Sequence, residues 1–454
     1  LTNKTPRAVN SILCFVHILN HLILAIFILF GFVFLSPLIS IMIFLTLGVA
    51  YFIILIAAKN IFNKNSLIQS NNENDLVQFT REAFSGIRVI IIDKIHDYFI
   101  SKFSFTKSIH DNALLINNFL GHSPKIIMES LGIVILSSLA FYLIKTEYTF
   151  LDLVPFFVVI GLGAQKLLPI FQQVYYSFAS IESDYESSVQ VANFCKINTN
   201  YAVYNQTKEI ISFKKYIEFK NVTFKYNSKI TSLKNINTKI LCNKKIGIVG
   251  HTGSGKSTFI DLLMGLNKPT SGEILVDGIV LNNTNINKWH NCISHVSQNI
   301  YISNIPIKNN IAFGKKNNEI DSLKIDKISK MLNLDNFIEN LKDGLHSYIG
   351  EAGNLISGGE KQKIALARAL YKKFNTLILD EATSAMDNKS EELIMNEIFD
   401  IQNKTIIIIA HRLTTVKNCD IILEFESGKI INEGTFNELL EKSPSFREIA
   451  KNLK

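Results

Sequence analysis

Two short stretches of this 454-residue chain carry residue types that could do chemistry together. The first is Gly250-His251-Thr252-Gly253-Ser254-Gly255-Lys256-Ser257-Thr258. It follows the apolar run Ile246–Val249 and opens a helix over Phe259–Met264, the strand–loop–helix setting that a phosphate loop requires. Glycines let backbone N–H groups curl around phosphate oxygens, and the helix N-terminus adds its positive end. Lys256 supplies a point charge for the outer phosphates, and Ser257 a hydroxyl for Mg2+. The second stretch is Thr376-Leu377-Ile378-Leu379-Asp380-Glu381. It brings two carboxylates to the C-terminal end of a buried strand, where open α/β sheets bind ligands. There Asp380 can hold the magnesium shell, and Glu381 can orient or deprotonate an attacking water. With a phosphate loop in the same chain, the pair reads as half of a nucleoside triphosphatase site and not as the cap of a strand.

A third stretch, Ile356-Ser357-Gly358-Gly359-Glu360-Lys361-Gln362, gives the class. Here the chain resembles the ABC transporter family, a likeness that covers essentially all of it. The family signature reads Leu-Ser-Gly-Gly-Gln, so Ile356 and Glu360 depart from it. The resemblance implies ATP and Mg2+ as cofactors. It implies that Tyr226 stacks on adenine and that Gly250, Thr252, Gly253, Ser254, Gly255 and Thr258 join Lys256 and Ser257 around the phosphates. Gln298 matches the glutamine that senses magnesium and the membrane domain, Glu351 a loop that contacts membrane helices, Ser384–Asp387 a dimer-interface loop, and His411 the γ-phosphate histidine. In this family one subunit's signature faces another's phosphate loop. Ser357, Gly358, Gly359 and Glu360 would therefore cap ATP held by a second copy of the chain, and a homodimer is expected. A carboxylate suits a helix's first turn but repels phosphate, so Glu360 is expected to weaken the nucleotide sandwich.

Those stretches sit in the second of two expected domains. From 216 to 454, β-rich runs such as Tyr216–Tyr226, Lys245–Val249 and Leu377–Leu379 alternate with helices, the pattern of an α/β domain. Residues 1–195 read as an all-α transmembrane domain, joined to it by a linker over 196–215. Apolar runs at about 12–35, 38–58, 124–144 and 150–175 each have spanning length. The stretch 59–122 between the second and third runs is polar, with apolar residues at helical spacing, and reads as long helices in water. It carries Lys59, Lys64, Arg81, Arg88, Lys94, Lys102 and Lys107, whereas the two short loops hold only Lys145, which places the long segment and both termini in the cytoplasm. Exporters of the family have six spans before the ATPase domain, so two are expected to precede Leu1.

The formal charge of +8 is spread along the chain without a basic cluster interleaved with aromatics, so no nucleic-acid partner is expected. Five cysteines without Cys-x-x-Cys spacing argue against a disulfide framework or a zinc site.

For the substrate, Gly86-Ile87-Arg88, Ser123–Glu129, Gly163–Pro169 and Gln172–Tyr175 are together similar to bacterial lipid-linked oligosaccharide flippases of the inner membrane. Phe84–Ile90 resembles their coupling helix. Lys166 lies about 24 Å into the last span, where the family pattern has an arginine. An intramembrane cation faces a cavity or snorkels, and a lipid pyrophosphate would suit it. Tyr175, Tyr176 and Phe178 read as an interfacial aromatic belt. The alternatives are a general exporter of lipids, drugs or peptides and, more remotely, a non-transport ABC ATPase, which the four spans oppose.

Overall fold

The computed structural model describes residues 4–35, 37–145, 150–196, 209–211, 213–226, 231–409 and 412–452. The chain divides into two compact units, Leu1–Thr199 and Asn200–Lys454.

The described residues of the first unit form α-helices and no strand: α1 (Lys4–Leu35), α2 (Pro37–Ser85), α3 (Ile87–Ile92), α4 (His96–His122), α5 (Pro124–Lys145) and α6 (Phe150–Lys196). Among the described residues, Lys4–Gly31 is long and apolar enough to cross a membrane. The other expected spans fall on α2, α5 and α6. The second span and the polar segment as far as Ser85 are one unbroken helix of 49 residues. Apolar patterning changes where a helix leaves lipid, but the backbone hydrogen bonds do not. The stretch expected to be the coupling helix is broken at Gly86, leaving the short α3 with Phe84 and Ile92 highly exposed on either side.

Tyr51, Phe62, Met128 and Tyr175 form the apolar core where α2, α5 and α6 meet. Tyr175 is therefore not part of an interfacial belt: it is 2% exposed, and its hydroxyl donates to the Leu120 carbonyl at 3.0 Å. Farther along the same helices the contacts turn polar. Asn65 donates to Asn117 and Asn117 to Ser183, both at 2.8 Å, and buried Lys4 reaches Ser70 and Gln190.

The second unit is α/β. A six-stranded sheet has the order β10-β9-β3-β8-β7-β6, built from β3 (Lys245–Gly250), β6 (Ile293–Val296), β7 (Thr376–Asp380), β8 (Thr405–Ile409), β9 (Ile421–Glu426) and β10 (Lys429–Gly434). Five strands run parallel and β10 is an antiparallel edge. The four isoleucines of β8 explain its central place: β-branched residues suit a strand buried on both faces, and all of β8 is buried. A second, antiparallel sheet has the order β2-β1-β4-β5, from β1 (Tyr216–Lys225), β2 (Thr231–Leu241), β4 (Ser271–Val276) and β5 (Ile279–Val280).

The described end of the expected linker packs on this unit, with Ile211 and Phe213 buried and Phe213 edge-on to Trp289. Asp277 fixes this entry, its carboxylate accepting the backbone N–H groups of Lys214, Lys215 and Tyr216 at 2.7–2.9 Å. Burial favours the protonated form, but the three amide donors outweigh it and hold the carboxyl below its ordinary range. A depressed carboxyl pKa stabilises the fold above the unfolded value and loses that contribution as pH falls through the folded one. Asn tolerates the left-handed φ of +48° at this turn, so Asp277→Asn removes the charge without backbone strain. At pH 7 the variant is expected to lose about 0.5–1 kcal/mol, since water screens this partly exposed carboxylate and Asn keeps an acceptor oxygen. Melting curves between pH 7 and 3 should show the gap to the parent closing as the parent's carboxyl protonates.

Candidate nucleotide site

The phosphate loop joins β3 to α7 (Lys256–Leu263). Its shape needs glycine at two positions. Gly250 has φ +148° and its missing Cβ would stand 2.2 Å from the Phe425 carbonyl oxygen; Gly255, at φ +104°, would meet Leu233 at 2.8 Å. The buried Lys256 ammonium donates to the carbonyls of Gly250 and His251 at 2.8 and 2.9 Å. Burial lowers its proton affinity, and the charges of Glu381 and Asp380 oppose that loss. The two motifs, more than a hundred positions apart, are thus electrostatic neighbours. Ser254 Oγ, also in the loop, is buried without a protein partner. A ring of backbone that excludes any Cβ, an orphaned hydroxyl and an ammonium fit a polyphosphate.

Parallel pairing puts Asp380 opposite Ile409 at the end of β7, and Glu381 follows in the left-handed region at φ +51°. Gln298 Nε2 donates to Glu381 Oε2 at 2.7 Å, which joins a third expected residue to the same strand end. The Tyr226 ring is 58% exposed, so a face is open for a base to stack on, and its hydroxyl lies 3.4 Å from Thr258 Oγ1. Thr252 and Ser257 are exposed, Thr252 on the loop and Ser257 in the first turn of α7. His411 lies outside the described residues.

Ser357 and Glu360 form a capping box at the start of the helix Gly358–Tyr371. The Glu360 carboxylate accepts from Ser357 N at 2.7 Å and from Ser357 Oγ at 2.8 Å, while Glu360 N donates back to Ser357 Oγ at 3.3 Å. The other departure, Ile356, packs against the apolar core. Gly358 and Gly359 run close to Ala385.

Gln362, the last residue of the signature stretch, and two residues outside the motifs organise the surroundings. Buried Gln362 donates to Ser384 Oγ at 3.1 Å and accepts from Ala385 N at 2.9 Å. Glu391 and Arg412 form an ion pair on the far side of the same loop. A sequence signal existed for Glu391: it shares the helix face of Ile394, Met395 and Ile398, all buried.

Residues 233–384 match the family described as ABC transporter. That stretch, from β2 to the loop after Glu381, is the part of the chain that the family describes. The ATP-dependent lipid A-core flippase of Wigglesworthia glossinidia brevipalpis is 44% identical over 235 residues, which is 51% of this chain and 40% of that protein. The ATP-dependent lipid A-core flippase of Escherichia coli K12 is 40% identical over 237 residues, 52% of this chain and 40% of its own length. The match thus spans well under half of these relatives. A solved structure, described as a bacterial Atm1-family ABC exporter with ATP bound, superposes on 99% of this chain and 79% of its own, with a TM-score of 0.86 at 21% identity. The exporter fold, helices followed by an α/β ATPase domain, is therefore shared across the whole chain.

The signature's capping box sets an expectation for Glu360→Gln. Glutamine keeps a capping box and removes a negative charge from a helix start suited to an anion. The ATP concentration for half-maximal hydrolysis is expected to fall roughly two- to fivefold, the scale of 0.3–1 kcal/mol. A variant that hydrolyses more slowly than the parent would contradict this.

Proposed function

We propose that the chain is a subunit of a homodimeric ABC exporter that hydrolyses ATP to move a lipid-linked oligosaccharide across the cytoplasmic membrane. The observation that carries the ATPase part is the convergence of Lys256, Asp380 and Glu381 on one strand end. Glycine backbone and Lys256 would bind the phosphates, Tyr226 the base. Glu381 would take the proton of the attacking water, and Gln298, its hydrogen-bond partner, would orient it. Mg2+, held by Ser257, Asp380 and Gln298, would neutralise charge developing on the phosphate oxygens. His411, outside the described residues, is assigned the γ-phosphate on family resemblance. Ser357, Gly358, Gly359 and Glu360 would act on nucleotide bound by the second copy.

For the cargo, the relatives are named as ATP-dependent lipid A-core flippases. That supports a lipid as cargo, and the resemblance of the membrane half to lipid-linked oligosaccharide flippases supports the glycan. Lys166, exposed on α6, is proposed as the cation that meets its phosphate groups. The many basic residues of 59–122 support a cytoplasmic location for that segment and for the ATPase domain.

Two measurements test the reading. Glu381→Gln is expected to bind ATP as the parent does and to hydrolyse it about 10²–10⁴-fold more slowly. Near-parental turnover would remove Glu381 from that role. In lipid nanodiscs, a polyprenyl-pyrophosphate glycan should stimulate ATP hydrolysis, and Lys166→Ala should abolish the stimulation. Stimulation by lipid A or by apolar drugs alone would leave an exporter and exclude the polyprenyl-linked glycan.

A further inference from the structure

The loop from Ala382 to Asp387 follows Glu381 directly, and side chains from other elements clamp it on both sides. On one side the Gln362 carboxamide uses its donor and its acceptor on Ser384 and Ala385. On the other side stands Glu391, in the helix Asn388–Phe399 and only 4% exposed. Its Oε1 accepts from Thr383 Oγ1 at 3.0 Å and Thr415 Oγ1 at 3.1 Å. Its Oε2 lies 2.6 Å from Arg412 Nη1, an ion pair held by charge and not by an aligned N–H. Arg412 in turn donates to the Met386 carbonyl at 2.8 Å and to Asn388 Oδ1 at 2.5 Å. A cavity opens beside this knot, lined by Glu381, Thr383, Glu391, Arg412 and Thr415 together with apolar side chains.

We propose that Glu391 and Arg412 are positioning residues for ATP hydrolysis. As a pair they tie the loop after Glu381 to the segment that follows His411, and so fix where the Glu381 carboxylate stands. The charges are needed for a geometric reason. Glu381 sits at a left-handed φ of +51°, a conformation that a non-glycine residue keeps only when its surroundings impose it. The next residues that could impose it, Thr383 and Met386, are both held by this pair. A neutral side chain at 391 could still accept from the two threonines, but it would leave the guanidinium without its counter-charge and Met386 without a fixed donor. This inference rests on Glu381 as the group that activates water. A misplacement of about 1 Å in such a group costs on the order of a hundredfold in rate.

The test uses the full chain in lipid nanodiscs, with turnover expressed per bound ATP so that unfolded protein does not count. Glu391→Gln and Arg412→Ala are each expected to lower kcat by roughly tenfold to a hundredfold while KM for ATP stays within about twofold. The double variant should be no slower than the worse single one, because the two residues act as one unit. Arg412→Lys, which keeps the charge, should recover part of the loss. Independently of turnover, backbone amides of 382–387 in Glu391→Gln should exchange hydrogen at least tenfold faster, with those of 245–264 unchanged. Parental kcat per bound ATP in Glu391→Gln, a fully additive double variant, or unchanged exchange in 382–387 would each overturn the proposal. Glu381→Gln, run alongside, separates the two readings. If it turns over at the parental rate, the role of Glu381 has failed. If it is slow while Glu391→Gln is not, only the positioning role has.

Discussion

The ATPase unit is organised around one buried ammonium. Lys256 sits between two carbonyls of its own loop and the field of two carboxylates from another strand. An ammonium taken out of water costs several kcal/mol unless such groups surround it. The need to surround it accounts for much of the architecture. β3 and β7 must run parallel and end at one edge, and β8 must separate them by one strand width. The loop must approach Phe425 so closely that only glycine fits at 250. In the function proposed above, phosphate oxygens would take the place of the two carbonyl partners.

The helical unit follows a different rule. Where helices cross lipid there is little hydrophobic gain in bringing them together, so packing and a few hydrogen bonds decide their contacts. Tyr51 to Gln172, Gln172 to the Gly121 carbonyl and Tyr175 to the Leu120 carbonyl supply those bonds. Beyond that level amides and hydroxyls take over, as in the Asn65–Asn117–Ser183 chain. Paired polar groups fix which helix faces meet, since any other rotation would bury them unpaired.

What could be read from the sequence was what is contiguous in it. The phosphate loop, the Asp380-Glu381 pair and the signature each lie within nine residues, and each forms largely from its own backbone. The fold class was legible for the same reason: buried parallel strands and apolar helices announce themselves by local pattern. The pairings were not legible. Glu391 meets Arg412 across 21 positions and Asp277 meets Lys214 across 63, and only the fold brings them together. Tyr175 was misread because a tyrosine near the end of an apolar run suits an interface and a buried carbonyl equally well. The length of α2 was hidden by its change from apolar to polar composition halfway along.

That length has a mechanical meaning. With 49 residues and no proline after Pro37, α2 is a single stiff lever about 74 Å long. No joint along it can absorb a rotation begun at one end. A tilt of about five degrees therefore carries the far end through roughly 6 Å, about one helical turn of travel. A rotation of a few degrees about the Ser85 end becomes, at the Pro37 end, a movement large enough to change which residues face one another.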